Sequence, residues 1–239
     1  MKNKIKLFVI VLLVVAIVGL AIVLGIVFKD VNARNTLISQ INTVIEQKKS
    51  NDDIVLTGEY GKIEKQVKED YATYFAAIDT IQTNNNAVEN LKVKNIENFQ
   101  NDGPEFTNSL ETLNKYKTSN EENILTLKHL VSEDEMKSRA EAAGITGKYR
   151  SLYFQIIADA KLSDNVNASV EAAEKMNDYY TKLITLLTYM KDNKAEWFIE
   201  NGTLKSRSQT FIDEYTRLTE EASMGSNYSR ESQQPQPQQ

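Results

Sequence analysis

The residues that could carry acid–base, nucleophilic or metal chemistry are few in this chain. It has one histidine, His129, and no cysteine, so zinc sites built on His and Cys lack ligands. The HExxH motif, the paired Glu-x-x-His motif of di-iron bundles, GxSxG, the P-loop and GxGxxG do not occur. The sequence therefore predicts no metal site, no cofactor and no catalytic residue, and His129 is expected to be a structural or surface histidine.

Carboxylates are the remaining candidates for catalysis. Acidic clusters occur at 121–122, 133–135 and 220–221. Acid–base hydrolysis needs two carboxylates opposed across a cleft with pKa values shifted apart, and the sequence shows neither property. Acidic residues favour the first turn of a helix, which explains Glu133 and Asp134 without chemistry. We predict that the protein is not an enzyme; two carboxylates facing each other across a deep cleft would contradict this.

Aromatic residues form the candidate binding surface. Four tyrosines could line a groove for sugars or peptides, together with the single tryptophan: Tyr149, Tyr153, Tyr179, Tyr180 and Trp197. The alternative is that the tyrosine rings pack in the core with their hydroxyls at its edge. The core interpretation is favoured, and both stay open here.

These residues must be positioned by elements that begin with a long apolar segment. Residues 7–28 contain no polar side chain, and a helix of this length reaches roughly 33 Å, enough to cross a hydrocarbon core. The basic segment 1–6 predicts a cytoplasmic N-terminus and export of residues 30–239. The segment is much longer than the apolar region of a usual signal peptide, which favours an uncleaved anchor; the alternative is cleavage near Ala33.

Composition excludes several classes of partner. Four of the 28 basic residues precede residue 30, so residues 30–239 hold 24 basic and 33 acidic residues, a net charge of −9. This charge argues against nucleic acid and against general docking onto anionic lipids or wall polymers. Without cysteine there can be no disulfide and no lipoprotein anchor, which fits a Gram-positive bacterial envelope.

Helical periodicity dominates the rest of the chain. Apolar residues recur at spacings of three and four from Ile63 to Ile81, from Phe106 to Val131 and from Val166 to Met190. We predict an all-α fold: a single N-terminal transmembrane helix followed by an elongated antiparallel helical bundle, with a small β-hairpin near the C-terminus. The predicted divisions are a cytoplasmic segment 1–6, a signal anchor 7–28, a helical stalk and loop 29–57, an extracytoplasmic bundle 58–223 and a disordered tail 224–239.

Two local signals are specific enough to test. "SEDE" at 132–135 predicts a capping box with Ser132 as the N-cap. "WFIENGTLKS" at 197–206 predicts a hairpin, because Asn201-Gly202 suits a two-residue turn that needs two positive φ angles. A hairpin is marginal alone, so Trp197 is expected to anchor it against the helices. An exposed Trp197 would instead make it a binding residue.

The same C-terminal stretch resembles a family of small bacterial envelope proteins catalogued as a domain of unknown function, some enterobacterial members of which are lipoproteins. The resemblance covers about residues 180–220 and rests on these positions: Asn201, Gly202, Glu214, Tyr215 and Leu218. It implies an envelope location and a helical architecture. It transfers no catalytic residue, and a transmembrane anchor would replace the acylated cysteine.

Two functions remain in view. The first is a membrane-anchored, extracytoplasmic binding or structural module of the cell envelope, with an unknown envelope protein as partner and an unspecified oligomeric state. The alternative is an extracytoplasmic small-molecule sensor or solute-binding domain that acts with a separate membrane partner. A cavity of roughly 300 Å³ or more with convergent polar groups would favour the alternative, and a filled core would end it.

Overall fold

The computed structural model describes residues 31–49 and 53–231, with side chains for 32–49 and 53–223. These residues form eight α-helices and one two-stranded antiparallel sheet. In chain order the elements are α1 Val31–Gln47, α2 Gly58–Asn90, α3 Ile96–Asn101, α4 Thr107–Val131, α5 Glu133–Ala142, α6 Gly147–Asp159, α7 Leu162–Asp192, β1 Trp197–Glu200, β2 Thr203–Ser206 and α8 Gln209–Glu231.

The predicted fold class was wrong in placing a transmembrane helix ahead of an elongated bundle. Across 31–49 and 53–231, no helix combines the length and the apolar character that a membrane span requires. These helices each carry charged or polar residues between their apolar positions. The predicted segments 1–6 and 7–28 lie outside the described residues.

The chain divides into two compact units that differ from the single predicted bundle 58–223. Unit 1 comprises residues up to Asp79 together with Leu125–Val170, and unit 2 comprises Thr80–Ile124 together with residues from Glu171 onward. Each unit is therefore assembled from two separate stretches of chain. Sequence periodicity reports on faces of helices and carries no information about such a division.

Unit 1 includes α1, where the sequence predicted a stalk within 29–57. Four apolar side chains of α1 are at most 5% exposed: Leu37, Ile41, Val44 and Ile45. Arg34 of α1 also donates a hydrogen bond to Gln155 of α6, with Nη2 to Oε1 at 3.4 Å. The apolar stripe of α1 is therefore a packing face.

Unit 2 has an aromatic and aliphatic core. Its buried members come from α2, α3, α4, α7, β1, α8 and the loops between them: Val88, Val93, Phe99, Phe106, Leu113, Tyr180, Leu183, Leu186, Leu187, Met190, Trp197, Phe211, Leu218 and Ala222. Backbone approaches this core closely at Gly103, where an added Cβ would lie 2.4 Å from the Phe99 carbonyl oxygen and 3.1 Å from the Trp197 ring. Only glycine fits that position without displacement.

The predicted hairpin is confirmed. Trp197 pairs with Ser206 and Glu200 pairs with Thr203 in an antiparallel register. The turn residues Asn201 and Gly202 have φ values of 55° and 70°, as a two-residue turn of this kind requires. The turn therefore brings the chain back toward α8.

The C-terminal helix is longer than expected. The sequence predicted a disordered tail over 224–239, whereas α8 continues to Glu231. Residues 232–239 lie outside the described part of the chain.

Candidate functional site

The predicted aromatic surface is mostly core. Tyr153 and Tyr180 are 0% exposed, and Tyr149 and Tyr179 are half-buried. The residues also belong to different units, with Tyr149 and Tyr153 in unit 1 and the other two tyrosines in unit 2. The structure therefore supports the interpretation that the tyrosine rings pack in the core. Tyr153 and Tyr180 are fully buried, so a ligand cannot contact their rings.

Trp197 is the packed anchor of the hairpin. It is 9% exposed, its ring stacks on Phe106 at a centroid distance of 5.9 Å, and Nε1 donates to the Met190 carbonyl oxygen at 2.8 Å. With its ring covered and its N–H satisfied, Trp197 serves the fold of unit 2.

Tyr180 instead belongs to a buried polar network in unit 2. Its hydroxyl donates to Asn85 Oδ1 at 2.5 Å, and Asn120 Nδ2 donates to the same oxygen at 3.3 Å. Asn84 Nδ2 donates to Asn120 Oδ1 at 2.8 Å. Asn120 is 0% exposed, and these bonds explain why α2 continues through the asparagine run at 84–86.

An open cavity of about 480 Å³ lies on unit 1. Its lining comes from α2, α4 and α5: Gln66, Glu69, Asp70, Thr73, Leu125, Thr126, His129, Leu130 and Arg139. Gln66, Asp70 and Leu130 are buried and form the floor, while Glu69, Leu125 and His129 are exposed and form the rim. The volume falls within the range of small-molecule sites.

The floor is built around the carboxylate of Asp70, which is 2% exposed. Oδ1 accepts from Arg139 Nε at 3.0 Å and from Gln66 Nε2 at 3.1 Å, and Oδ2 accepts from the Tyr153 hydroxyl. Burial raises the pKa of Asp70, and the bond from Tyr153 and the charge of Arg139 oppose that rise. Burial and the Asp70 charge raise the pKa of Tyr153, so its hydroxyl keeps its proton and acts as a donor.

Arg139 joins this floor to the end of α4. Its Nη1 donates to the His129 carbonyl oxygen at 3.4 Å and its Nη2 to the Leu130 carbonyl oxygen at 2.5 Å. These carbonyls have no partner within α4, because the last four of any helix lack one. The capping box predicted at Ser132 is absent, since Ser132 makes no side-chain cap hydrogen bond. The side chain of Arg139 in α5 therefore caps the C-terminal end of α4.

The rim carries the groups that face solvent. The Glu69 side chain is 55% exposed, and Lys65 Nζ lies 3.8 Å from its carboxylate. His129 Nδ1 lies 3.5 Å from Glu135 Oε1, with both side chains about half exposed. Leu125 is 56% exposed. His129 is thus a surface residue, as predicted, and it also lines the cavity.

A second buried charge pair in unit 1 fixes the segment before α2. Lys68 Nζ lies 2.8 Å from Glu64 Oε1, with the side chains 3% and 0% exposed. Lys68 also donates to the Asp53 carbonyl oxygen at 2.6 Å, and Glu64 accepts from the backbone N–H groups of Val55 and Leu56 at 3.1 and 2.8 Å. Every charge-bearing atom of the pair is thereby used to hold the loop, so this pair is structural.

No group of three or more His, Cys, Asp or Glu side chains that could hold a metal ion occurs in the part of the chain that the structure describes. The acidic cluster at 133–135 lies on the surface of α5, where Glu133 pairs with Lys137 at 2.6 Å.

Sequence reasoning missed the floor of the cavity. Gln66, Asp70 and Thr73 follow one another at spacings of four and three, beside the apolar stripe of α2. This spacing places them on one helical face that borders the core. That face was the available signal, but the partners Arg139 and Tyr153 lie more than 60 residues away in the chain, and no pattern connects them.

No protein-family model, curated protein or solved structure matches this chain. The resemblance of residues 180–220 to an envelope family therefore stays a prediction, and every residue role described above comes from the geometry alone.

Proposed function

We propose that this protein is a small-molecule binding module, and that the cavity lined by Asp70 and Arg139 on unit 1 is its ligand site. The carrying observation is an open cavity of about 480 Å³ whose floor is a hydrogen-bonded, buried carboxylate. Among the two functions predicted from the sequence, this favours the solute-binding or sensory one, for which a cavity of roughly this size with convergent polar groups is the expected signature.

Binding, rather than catalysis, suits the chemistry of the lining. Both oxygens of Asp70 already accept hydrogen bonds. The other lining carboxylate, Glu69, is its neighbour on α2 and is not opposed to it across a cleft, as hydrolysis by two carboxylates requires. A rigid floor whose donors and acceptors are satisfied holds its shape when a ligand enters, which lowers the cost of binding.

The envelope location, the unknown envelope partner and the separate membrane partner stay predictions. They rest on the charge pattern and the apolar segment near the N-terminus, and no contact in units 1 and 2 bears on them. The module could also dock onto a partner, because a bound solute can shift the conformation of the surface that the partner binds.

The test is a cavity-filling substitution with a matched control. Thr73 is exposed on the cavity wall, and its hydroxyl donates to the carbonyl oxygen four residues earlier, at 3.0 Å. Thr216 of α8 is exposed with the same bond at 2.8 Å, in unit 2. We expect T73W to abolish binding of fragment-sized molecules found by ligand-observed NMR, and T216W to leave it unchanged.

The imidazole resonance of His129 localises the binding, because the chain has one histidine and it lines the cavity. Hits that shift this resonance in the wild type and in T216W, but do not bind T73W, support the proposal. If T73W binds the same fragments with the same affinity, the cavity is not the ligand site and the proposal is wrong.

A further inference from the structure

We propose that the cavity selects a small organic cation, a protonated amine carried on an apolar body. This inference rests on the proposed function and adds the chemical class of the ligand. Three features of the lining carry it: the charges left uncompensated, the direction of α4 and the exposed Leu125.

The first feature is the balance of charge. The lining holds two carboxylates, Glu69 and Asp70, and one guanidinium, Arg139. Arg139 forms an ion pair with Asp70, with Nε to Oδ1 at 3.0 Å. Its other two nitrogens donate to backbone carbonyls. These bonds use three of its five N–H donors, and an anionic ligand would have to compete with the buried Asp70 carboxylate for the guanidinium. The cavity therefore disfavours an anion.

The available charge on the rim is negative. Among the residues that the structure describes, Glu69 pairs with Lys65 at 3.8 Å, and both side chains are more than half exposed, an arrangement that is weak in water. Glu135 adds a second carboxylate beside His129, at 3.5 Å from Nδ1. An ammonium group placed between Gln66 and Glu69 gains an anionic partner without displacing any buried hydrogen bond.

The second feature is that α4 ends at the cavity. The lining residues Leu125, Thr126, His129 and Leu130 occupy its last two turns, and the helix terminates at Val131. The C-terminal end of a helix carries partial negative charge. Arg139 binds its carbonyls from one side, which shows that this end accepts cations. The dipole thus acts in the same direction as Glu69.

The third feature supplies the apolar contact. Large apolar side chains that are exposed in the described residues include Ile54, Val55, Leu125 and Phe198, and among these Leu125 lines the cavity. A ligand with an alkyl or aryl body would cover Leu125 and remove apolar surface from water. Thr73 and Thr126 also line the cavity. Affinity then comes from the body and selectivity from the charge.

The experiment compares three probes that share one chain and differ in charge: hexylamine, hexan-1-ol and hexanoate at pH 7. Binding to the full protein is followed by the His129 imidazole resonance and the Leu125 methyl resonances. We expect hexylamine to bind about two- to fivefold more tightly than the other two, since one partly exposed charge contact contributes a factor of this order.

Glu69→Gln removes the rim charge while keeping the side-chain shape. We expect hexylamine affinity in E69Q to fall to that of hexan-1-ol, with hexan-1-ol unaffected. Glu111→Gln is the control, since Glu111 is an exposed residue of α4 in unit 2 and its loss changes net charge equally. Reduced amine binding in E69Q but not in E111Q supports the inference.

Three results would overturn it, and they differ in what survives. If all three probes bind equally and T73W blocks them, the cavity is a ligand site without cation selectivity, so the class is wrong and the proposed function stands. If T73W binds fragments as tightly as the wild type does, the cavity is not the ligand site, and both the inference and the proposed function are wrong. If hexanoate binds more tightly than hexylamine, the cavity prefers an anion and the inferred ligand class is wrong.

Discussion

Buried charges of α2 illustrate how single residues shape unit 1. Glu64, Lys68 and Asp70 are each at most 2% exposed, although burying an ion costs several kcal/mol unless it is paired and hydrogen-bonded. Each one is: Lys68 bonds Glu64 and the backbone of the preceding loop, and Asp70 bonds groups of α5 and α6. One pair fixes a loop, and the other fixes the floor of the cavity.

Removal of one member of the Glu64–Lys68 pair is expected to destabilise unit 1. Glu64→Gln leaves the Lys68 ammonium buried without its anion, which costs about 3 kcal/mol. Urea unfolding followed by circular dichroism measures the loss. The double variant E64Q/K68M removes both charges and is expected to recover most of the stability. An E64Q midpoint equal to that of the wild type would show that the pair contributes nothing.

The same pair predicts a pH dependence of stability. Burial by itself raises the pKa of Glu64, but the hydrogen bond from Lys68, the two backbone N–H groups and the Lys68 charge together bring it below its usual value of 4.5. Because the folded pKa is the lower one, the stabilisation is fully present above about pH 4.5 and is lost as the pH falls through the folded pKa.

The E64Q variant provides the comparison for this pH effect. We expect the free-energy difference between wild type and E64Q to be constant from pH 7 to about pH 5 and to shrink at lower pH. A difference that stays constant down to pH 3 would mean that Glu64 titrates equally in the folded and unfolded chains.

Among the secondary-structure elements, the sequence predicted the hairpin in most detail. Asn201-Gly202 predicts the turn type, and alternation predicts that Trp197 and Ile199 face one side; the strand is buried or half-buried at these positions and exposed at Phe198 and Glu200. Local chemistry determines a two-residue turn, so local sequence is sufficient to predict it.

Gly202 gives a clean test of that turn. Its φ is +70°, and an added Cβ would meet nothing within 4 Å, so substitution costs conformational energy alone. We expect G202A to lower the free energy of unfolding by about 1 kcal/mol, and G202N to cost less, because Asn tolerates the left-handed region. Denaturant unfolding followed by Trp197 fluorescence makes the comparison, with the exposed strand variant T203A as the control for hairpin position. Equal effects of G202A and G202N would contradict a φ-based cost.

The features of a helix that depend on nearby residues could be predicted from the sequence, and those that depend on another helix could not. The spacing of Val166, Val170, Tyr180, Leu187 and Met190 predicts one face of α7, and all five are buried. The Arg139 bonds to the end of α4 were not predictable, because the guanidinium and the carbonyls it binds meet only after α5 has folded back. Ser132, the locally plausible cap, makes no cap bond.

At the scale of the whole molecule, neither the two units nor the cavity could be predicted from periodicity. The apolar face of α1 suits a membrane-proximal stalk as well as a packing helix, and the choice depends on residues of α6 far along the chain. The floor of the cavity likewise depends on Asp70 meeting Arg139 and Tyr153. Patterns within one helix predict which side is buried, while the partner is a property of the assembled chain.

Three helices, α2, α4 and α7, contribute residues to both units, and this predicts how the molecule unfolds. A helix gains stability cooperatively along its length, so loss of structure in one unit would leave each of these helices ending at an uncapped turn. We therefore expect both units to unfold in a single transition. Single natural probes report on each: His129 belongs to unit 1 and Trp197 to unit 2.

The measurement uses one cavity-creating substitution in each unit. Leu127 of unit 1 and Leu187 of unit 2 are both 0% exposed, and truncation of such a leucine to alanine costs about 2–5 kcal/mol. We expect L127A to lower the urea midpoint seen by Trp197 fluorescence as much as the midpoint seen by the His129 imidazole resonance, and L187A to do the same. Coincident midpoints are the signature of a two-state transition. If L127A moves the His129 midpoint while the Trp197 midpoint stays in place, the shared helices break at the division and the units are independent folding domains.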